Sequence, residues 1–294
     1  MNVELAERFE TLRPVLVRHA YRMLGQYTEA EDAVQDAFLR WSEASANGTI
    51  DDDKAYLRTI VTRLCLDRLR SARARREVYV GPWLPEPVLS EEKEQPEAAA
   101  MLADDISFAL MLALERLAPL ERAAFLLHDA LSVPFGEVAQ TLDRSEEAVR
   151  KLASRAREHV RDANRRSVTK HDEAIRLRDA FLAAISSDDA AALQKLLTDE
   201  VLFVSDGGGK VPATAVPVTG RHRVTQLLLG LKRKGAAAVR RIDLVTLNGL
   251  PGYALITATG VDTAIALEIS DGKIAAMYAV RNPEKLRTIS AALL

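Results

Sequence analysis

The segment Leu117–Val160, LAPLERAAFLLHDALSVPFGEVAQTLDRSEEAVRKLASRAREHV, decides how the rest of the chain is interpreted. It predicts a helix, a turn, a short helix, a second turn and a long basic helix. Pro134 suits the first turn of the short helix. Asp143 or Ser145 can cap the long helix, because both side chains accept hydrogen bonds from free backbone N–H groups.

The long helix has two different faces. Apolar residues recur at helical spacing and predict a buried stripe, formed by Val149, Leu152, Ala153, Ala156 and Val160. The opposite face carries Glu147, Arg150, Lys151, Ser154, Arg157 and Arg161. This combination is typical of the second helix of a DNA-binding helix-turn-helix. Many helix pairs with basic outer faces bind nothing, so the remainder of the chain must support this interpretation.

Composition sets broad limits on the protein. A chain of 294 residues has room for two or three domains, and 48 % hydrophobic with 28 % charged residues is typical of a folded protein. We expect no membrane span, because no apolar run approaches ~20 residues, and the acidic start MNVELAERFE does not resemble a signal peptide. Cys65 is the only cysteine, which excludes an intramolecular disulfide framework and suits the cytoplasm.

Charges are segregated along the chain. Residues 54–76 contain eight Lys or Arg and one acid, whereas residues 77–105 contain eight acids and one Lys. We predict a polar loop over Ser42–Asp53 and then a helix that starts near Asp53. This helix would carry the basic residues of segment 54–76. The helix ends in RSARARRE (70–77), where Arg70, Arg73, Arg75 and Arg76 would neutralise nucleic-acid phosphates, and Arg58, Arg63 and Arg70 share one arc of it.

The N-terminal part predicts two further helices. The first spans about residues 2–25, with His19 as a partly buried spacer. The second begins at a capping box formed by Thr28 and Glu31. Its outer face carries Asp32, Gln35, Asp36 and Arg40. That face is either simply solvated or docks on a basic partner.

Residues 79–104 read as a linker, because they hold four of the eleven prolines and a run of acids. Trp83 stands in a stiff, extended segment, Trp83–Pro87, and such a segment usually docks on another surface.

The pattern changes after about residue 170. It predicts helices near 172–186, 189–198 and 220–234, and strands near 201–204, 211–218, 238–247, 252–260, 262–270 and 273–281. Helices followed by an antiparallel meander make an α+β cone. Asp206 and His222 could form an acid/base pair, but a turn aspartate before three glycines has an ample structural explanation. We therefore expect no catalysis.

Three stretches resemble regions 2 and 4 of bacterial extracytoplasmic-function (ECF) sigma factors. They are DAVQDAFLRW (32–41), AYLRTIVTRLCLDRLRSARARRE (55–77) and the segment 116–157 that contains PFGEVA and SEEAVR. The rest resembles a subgroup with a fused SnoaL-like domain of the NTF2-like cone fold, through WLPEP (83–87), DGGGK (206–210) and NPEKL (282–286). Glu284 replaces the aspartate usual in the last motif.

The resemblance implies two all-α sigma domains followed by an α+β NTF2-like cone. It places region 2 at 1–78, the linker at 79–104, region 4 at 105–166 and the cone at 170–294. It implies a promoter-specificity subunit of RNA polymerase, not an enzyme, with no cofactor and no metal. The implied partners are core RNA polymerase, through the β′ clamp helices and the β flap, and promoter DNA.

The resemblance also implies residue roles. The outer face of the second helix (Asp32, Gln35, Asp36, Arg40) would meet the β′ clamp helices, and the basic cluster would hold the −10 strand while the Ser42–Asp53 loop takes a flipped base. At the −35 element Arg150 and Lys151 would bond guanine and Glu147 cytosine. The residues expected at phosphates or close by are Arg144, Ser145, Ser154, Arg155 and Arg157.

The cone domain suggests control of the sigma module in cis. The residues expected in that contact are Trp83, Leu84, Pro85, Asp206, Lys210, Asn282, Pro283 and Leu286, with Asn282–Leu286 expected to be exposed. Cones of this kind often enclose a pocket, which leaves room for a small-molecule ligand. Two alternatives stay open: a stand-alone helix-turn-helix regulator with a ligand-binding cone, and an isomerase-like enzyme fused to a DNA-binding module.

Overall fold

The computed structural model describes residues 3–48, 50–76, 79–90, 106–161 and 171–294. The chain divides into two compact units. The first joins residues 1–78 to 109–164, and the second joins residues 79–108 to 165–294. The segment between the two helical modules therefore belongs to the same unit as the C-terminal domain.

The first unit begins with a three-helix bundle, α1 (Val3–Leu24), α2 (Tyr27–Asn47) and α3 (Asp53–Arg76). Its core contains Phe9, Tyr21, Trp41 and Leu57. The Trp41 indole N–H donates to Asp53 Oδ1 at 3.0 Å, which ties α2 to the start of α3.

Two predictions about α2 are wrong. The N-cap is Gln26, so Thr28 lies inside the first turn and the capping box does not start the helix. The helix also continues to Asn47, because Glu43, Ala44 and Ala46 are good helix formers, and the loop predicted from Ser42 is shorter.

The second half of this unit contains α4 (Phe108–Glu115), α5 (Pro119–Phe125), a π-helical turn (Leu126–Ala130), α6 (Phe135–Leu142) and α7 (Glu146–Val160). Asp143 ends α6 in the left-handed conformation (φ 52°). Ser145 caps α7, since its Oγ accepts from the Ala148 N–H at 3.2 Å. The helix-turn-helix is confirmed, with Pro134 at the N-cap of α6 instead of inside its first turn.

The second unit consists of helices on a six-stranded sheet. The elements are α8 (His171–Ser186), α9 (Ala190–Leu196), β1 (Leu197–Asp206), β2 (Val218–Thr219), α10 (Arg221–Gly235), β3 (Arg241–Leu247), β4 (Leu250–Thr257), β5 (Gly260–Ser270), β6 (Lys273–Val280) and α11 (Arg287–Leu293). The strand order is β2-β1-β6-β5-β4-β3, and only the β1–β6 pair among these is parallel.

The prediction of a strand over residues 211–218 is wrong. Only Val218–Thr219 pairs with β1, because Pro212 and Pro217 have no N–H to donate to a ladder. The hairpin turns are confirmed: Asn248 and Asp271 take φ values of 50° and 52°, and a glycine follows each of them.

Large side chains fill the space between the helices and the sheet. Phe181, Leu193, Leu228, Tyr253 and Met277 belong to this core. The fold class, two all-α modules followed by an α+β cone, is confirmed. Among the residues described, no helix is long and apolar enough to cross a bilayer.

Candidate DNA-binding surfaces and linker site

The exposed face of α7 gathers the residues predicted for the −35 element. Each of them is exposed: Arg144, Ser145, Glu147, Arg150, Lys151, Ser154, Arg155 and Arg157. Val149, Ala153, Ala156 and Val160 are buried on the opposite side, as the spacing predicts. Ser145 is used as the cap of the helix, a role that places it at the entrance of this surface.

Charged residues on α7 already have partners along the helix. Arg150 pairs with Glu146, and Lys151 Nζ lies 2.6 Å from Glu147 Oε1. The Arg150 guanidinium also lies 4.4 Å from the ring centroid of Phe135. Exposed pairs of this kind contribute about 0.3–0.5 kcal/mol, so they hold these side chains only weakly.

Two arginines in the C-terminal half of α7 contact acids of neighbouring helical segments. Arg157 Nε donates to Asp129 Oδ1 at 2.6 Å. Arg155 Nη1 lies 3.9 Å from Glu121 Oε1. These contacts position the two guanidiniums along the edge of the helix.

The basic face of α3 contacts α6. Arg58 Nη2 lies 2.9 Å from Glu137 Oε2, and Arg63 donates to the carbonyls of Thr141 (3.1 Å) and Gln140 (3.2 Å). Arg70 pairs with Asp67 on the surface. Arg73, Arg75 and Arg76 lie in the last turns of α3, but their side chains are outside the described residues.

A buried histidine supports this face from below. His19 is fully buried, not the partly buried spacer that the sequence suggests, because α3 packs over it. Its Nε2 lies 2.9 Å from Thr62 Oγ1, and Thr62 donates to the Arg58 carbonyl, so Nε2 carries the proton. Burial, with the nearby Arg22 and Arg58, lowers the pKa of His19 to about 3.

A surface depression of about 400 Å³ lies at the start of α3. Ile50, Asp51, Asp52, Ala55 and Tyr56 line it. An aromatic ring among carboxylates offers a stacking surface together with hydrogen-bond acceptors.

The outer face of α2 presents the four residues predicted for polymerase binding. Asp32, Gln35, Asp36 and Arg40 are all exposed. Asp36 also pairs with Arg68 of α3 at 2.8 Å, and Arg68 donates to the Glu29 carbonyl at the same distance.

Asp206 is the centre of the linker site in the second unit. The side chain is fully buried. One oxygen accepts from the Tyr79 hydroxyl (2.6 Å) and the Gly208 N–H (2.9 Å), and the other from the Leu84 N–H (2.9 Å) and Lys285 Nζ (2.7 Å). Two of these four donors come from the linker.

Lys285 completes the site. Its Nζ lies 4.4 Å from the Trp83 ring centroid and 5.1 Å from that of Tyr79, and it also donates to the Leu84 carbonyl at 2.5 Å. A cation against two aromatic faces is stabilised by their negative π density. Burial and the Asp206 carboxylate raise the pKa of the Tyr79 hydroxyl.

The three motifs of the resemblance meet at this site. Asn282 Nδ2 donates to the Tyr79 hydroxyl at 3.1 Å. Gly208 has φ 61°, and a Cβ on it would lie 2.3 Å from Asn282 Nδ2, so only glycine fits. Leu84, Pro85 and Leu286 are buried, Trp83 is half-buried, and Lys210 pairs with Glu284 at the surface. That pair lowers the pKa of Glu284.

The prediction that Asn282–Leu286 forms an exposed segment is wrong. Pro283 and Glu284 are exposed, but Asn282, Lys285 and Leu286 are buried because the linker packs on them. Tyr79 and Lys285 are the participants that the sequence analysis missed. Lys285 lies inside the quoted NPEKL motif, which is the signal that could have indicated it.

A second contact joins Val88 of the linker to Ile106, which follows the linker. Asn248, in the β3–β4 turn, accepts from the Val88 N–H and donates to the Ile106 carbonyl, both at 2.9 Å. Phe108 stacks on Tyr278, with ring centroids 5.0 Å apart. His222 is exposed on α10, whereas Asp206 is buried, so no acid/base pair forms. The part of the chain that the structure describes has no cluster of ligands for a metal.

Comparison with known proteins agrees with both modules. The family described as Sigma-70 region 2 matches residues 8–75, and Sigma-70, region 4 matches residues 107–160. The ECF RNA polymerase sigma factor SigJ of Mycobacterium tuberculosis is 40 % identical over 96 % of this chain and 93 % of that protein. This chain belongs to the ECF sigma factors. It is a transcription initiation factor, and its family is not an enzyme family.

Two further similarities span both units of this sigma factor. The "Probable ECF RNA polymerase sigma factor SigI" of M. tuberculosis is 30 % identical over 96 % of this chain and 94 % of that protein. The crystal structure of M. tuberculosis SigJ superposes with a TM-score of 0.77 at 38 % identity, covering 96 % of this chain and 98 % of that one. The similarity therefore includes the C-terminal cone.

Proposed function

We propose that this sigma factor docks on core RNA polymerase through α2. The exposed acids Asp32 and Asp36, with Gln35 and Arg40, suit the clamp helices of the β′ subunit, and the helix-turn-helix would reach the β flap. Complementary charge speeds docking and sets its register. The complex would act in the cytoplasm, where the polymerase works.

The test of this face is capture of core polymerase by the full-length chain. Asp32→Lys should weaken capture several-fold, because it places a cation against a basic partner. Glu10→Lys is the matched control, since Glu10 is an exposed acid on α1 outside this face. Equal capture by the two variants would remove α2 from the interface.

Promoter recognition would use the two DNA-binding surfaces. The observation that supports it most strongly is α7, a capped helix whose basic face is exposed after a helix-turn-helix turn. Arg150 and Lys151 would bond guanine edges, Glu147 would accept from cytosine, and the phosphate contacts would come from Arg144, Ser154, Arg155 and Arg157.

Melting of the −10 element would use α3 and the depression beside it. Arg58, Arg63, Arg70 and the cluster Arg73–Arg76 would hold phosphates of the separated strand. The depression lined by Tyr56, Asp51 and Asp52 would take an unstacked base.

Control in cis would act through the linker. Residues 79–90 and 106–108 are held by the C-terminal cone, at Asp206 and at Asn248. The linker also connects regions 2 and 4 along the chain, so holding it limits how far the two DNA-binding surfaces can separate. Spacing between promoter elements would then depend on the state of this contact.

Point variants test cis control better than removal of the cone, because truncation would expose the buried linker face. Lys285→Met should change the preferred spacing between promoter elements in transcription with core polymerase. Lys273→Met, at an exposed lysine of β6 outside this site, should leave that preference nearly unchanged. An unaltered preference in Lys285→Met would exclude control through the linker. Phe181, Tyr253 and Met277 are buried in the core of the cone, and we propose no small-molecule ligand for it.

A further inference from the structure

The contact between α3 and α6 uses Arg58 and Arg63, two of the arginines proposed above for the −10 strand. Within the described residues four hydrogen bonds join the two helices. Arg58 meets the carboxylate of Glu137, Arg63 meets the carbonyls of Gln140 and Thr141, and Thr59 Oγ1 lies 3.2 Å from Thr141 Oγ1.

The groups that α6 places against these arginines are negatively charged or carry partial negative charge, as the phosphates of a nucleic-acid backbone do. Gln140 and Thr141 lie in the last turn of α6, where carbonyls carry the partial negative charge of the helix C-terminus. Glu137 lies one turn earlier and adds a full negative charge. The guanidiniums therefore donate to a carboxylate and two carbonyls. In a DNA complex the acceptors in these positions would be phosphate oxygens.

The contact is polar and suited to opening. Glu137 is half-exposed, with 51 % of its side chain accessible, while only 13 % of the Arg58 side chain is accessible. The buried Arg58 Nε has no hydrogen-bond partner among the described residues, so the contact leaves one donor unsatisfied. A cleft of about 200 Å³ beside the contact is lined by Arg63, Arg70 and Arg144 together with acids and carbonyl-bearing residues.

We propose that the C-terminal half of α6 is an internal competitor for the −10 strand. Glu137 and the last carbonyls of α6 occupy Arg58 and Arg63, so the helix-turn-helix must leave α3 before these arginines bind single-stranded DNA. The proposal rests on the assignment of α3 to the −10 strand. It adds a closed state in which one DNA-binding module covers the other.

The first test removes the charge of the competitor. In the full-length chain, Glu137→Gln should tighten binding of a fluorescent single-stranded −10 oligonucleotide by about two- to fivefold, the range expected for a partly exposed ion pair. Glu158→Gln is the matched control, because Glu158 is an exposed glutamate on α7. Equal affinities for the two variants would count against competition by Glu137.

The second test locks the contact. A Thr59→Cys, Thr141→Cys double variant can form a disulfide, since the two hydroxyl oxygens are in contact, and native Cys65 is buried with its thiol pKa raised to about 12. The oxidised protein should bind the single strand about tenfold more weakly than the same protein after reduction, because the arginines stay occupied. Single-cysteine variants should show no response to reduction.

The outcomes distinguish failure of the competitor proposal from failure of the assignment of α3 to the −10 strand. If oxidised and reduced protein bind the strand equally, the closed state does not compete and the proposal is overturned. If the strand is bound neither by the free chain nor by its complex with core polymerase, while duplex −35 DNA still binds, the α3 assignment is wrong, and the competitor fails with it.

Discussion

Lys285 Nζ lies 2.7 Å from Asp206 Oδ2, and the two side chains are 5 % and 0 % exposed. A buried ion pair is stable only when its remaining polar atoms are satisfied. Here the lysine donates to the Leu84 carbonyl and lies against two aromatic rings. The carboxylate accepts hydrogen bonds from Tyr79, Leu84 and Gly208. Linker groups therefore replace part of the water that both charges give up when they are buried.

Lys285→Met should destabilise the second unit by about 3–5 kcal/mol, because it leaves the Asp206 carboxylate buried without its cation. Urea unfolding followed by tryptophan fluorescence measures this, with Trp83 reporting on the second unit and Trp41 on the first. The control is Lys210→Met, whose exposed pair with Glu284 should change stability far less. Equal losses in both variants would contradict the central role of the buried pair.

Acid should destabilise the first unit through His19. The folded pKa of about 3 lies below the usual 6.5, so the unfolded chain binds the proton more readily. Stability is retained above pH 6.5 and falls as the pH drops toward 3, by about 2 kcal/mol between pH 6.5 and pH 5. Urea titrations at these two pH values measure the loss.

His19→Gln is the matched variant for that pH dependence. Glutamine can still donate to Thr62 Oγ1 but does not titrate, so the fall between pH 6.5 and pH 5 should shrink by most of its size. An unchanged slope in the variant would assign the acid sensitivity to another group.

Ser145→Ala should destabilise α7 by about 1 kcal/mol, because the Ala148 N–H loses its acceptor. Ser145→Asp keeps an acceptor at the N-cap and should retain most of the stability. Thermal unfolding of the three proteins compares them. A loss of DNA binding in the alanine variant without any loss of stability would show that the hydroxyl contacts DNA directly.

Arg150→Ala and Arg155→Ala should separate base reading from phosphate contact. The first should cost about 1–3 kcal/mol at one −35 position and relax specificity there. The second should weaken binding to all sequences uniformly and lower the salt dependence. Binding to a panel of single-base variants distinguishes these patterns. A uniform loss for Arg150→Ala would reassign it to the phosphates.

Local spacing predicted the helices and their faces well. Val149, Ala153 and Val160 are buried and Arg150 and Lys151 exposed because one face of an amphipathic helix repeats every 3.6 residues. The hairpin turns at Asn248 and Asp271 were predictable for a similar reason, since the turn type demands those residues.

Contacts between distant segments could not be predicted in this way. Asp206 bonds Leu84 across 122 positions and Lys285 across 79, and no periodicity connects them. The motif resemblance indicated that WLPEP, DGGGK and NPEKL matter, but not that they surround one buried charge. Likewise, the arc of α3 predicted a DNA surface, whereas its contact with Glu137 depends on tertiary packing.

The most direct test of the sigma assignment is run-off transcription from a fragmented genomic DNA pool with purified core RNA polymerase and the full-length chain. We predict transcripts from discrete start sites that share −35 and −10 elements, and loss of these transcripts when Arg150 and Lys151 are both replaced by alanine. Transcription no greater than that of core polymerase alone, with no binding of the chain to core, would contradict the account.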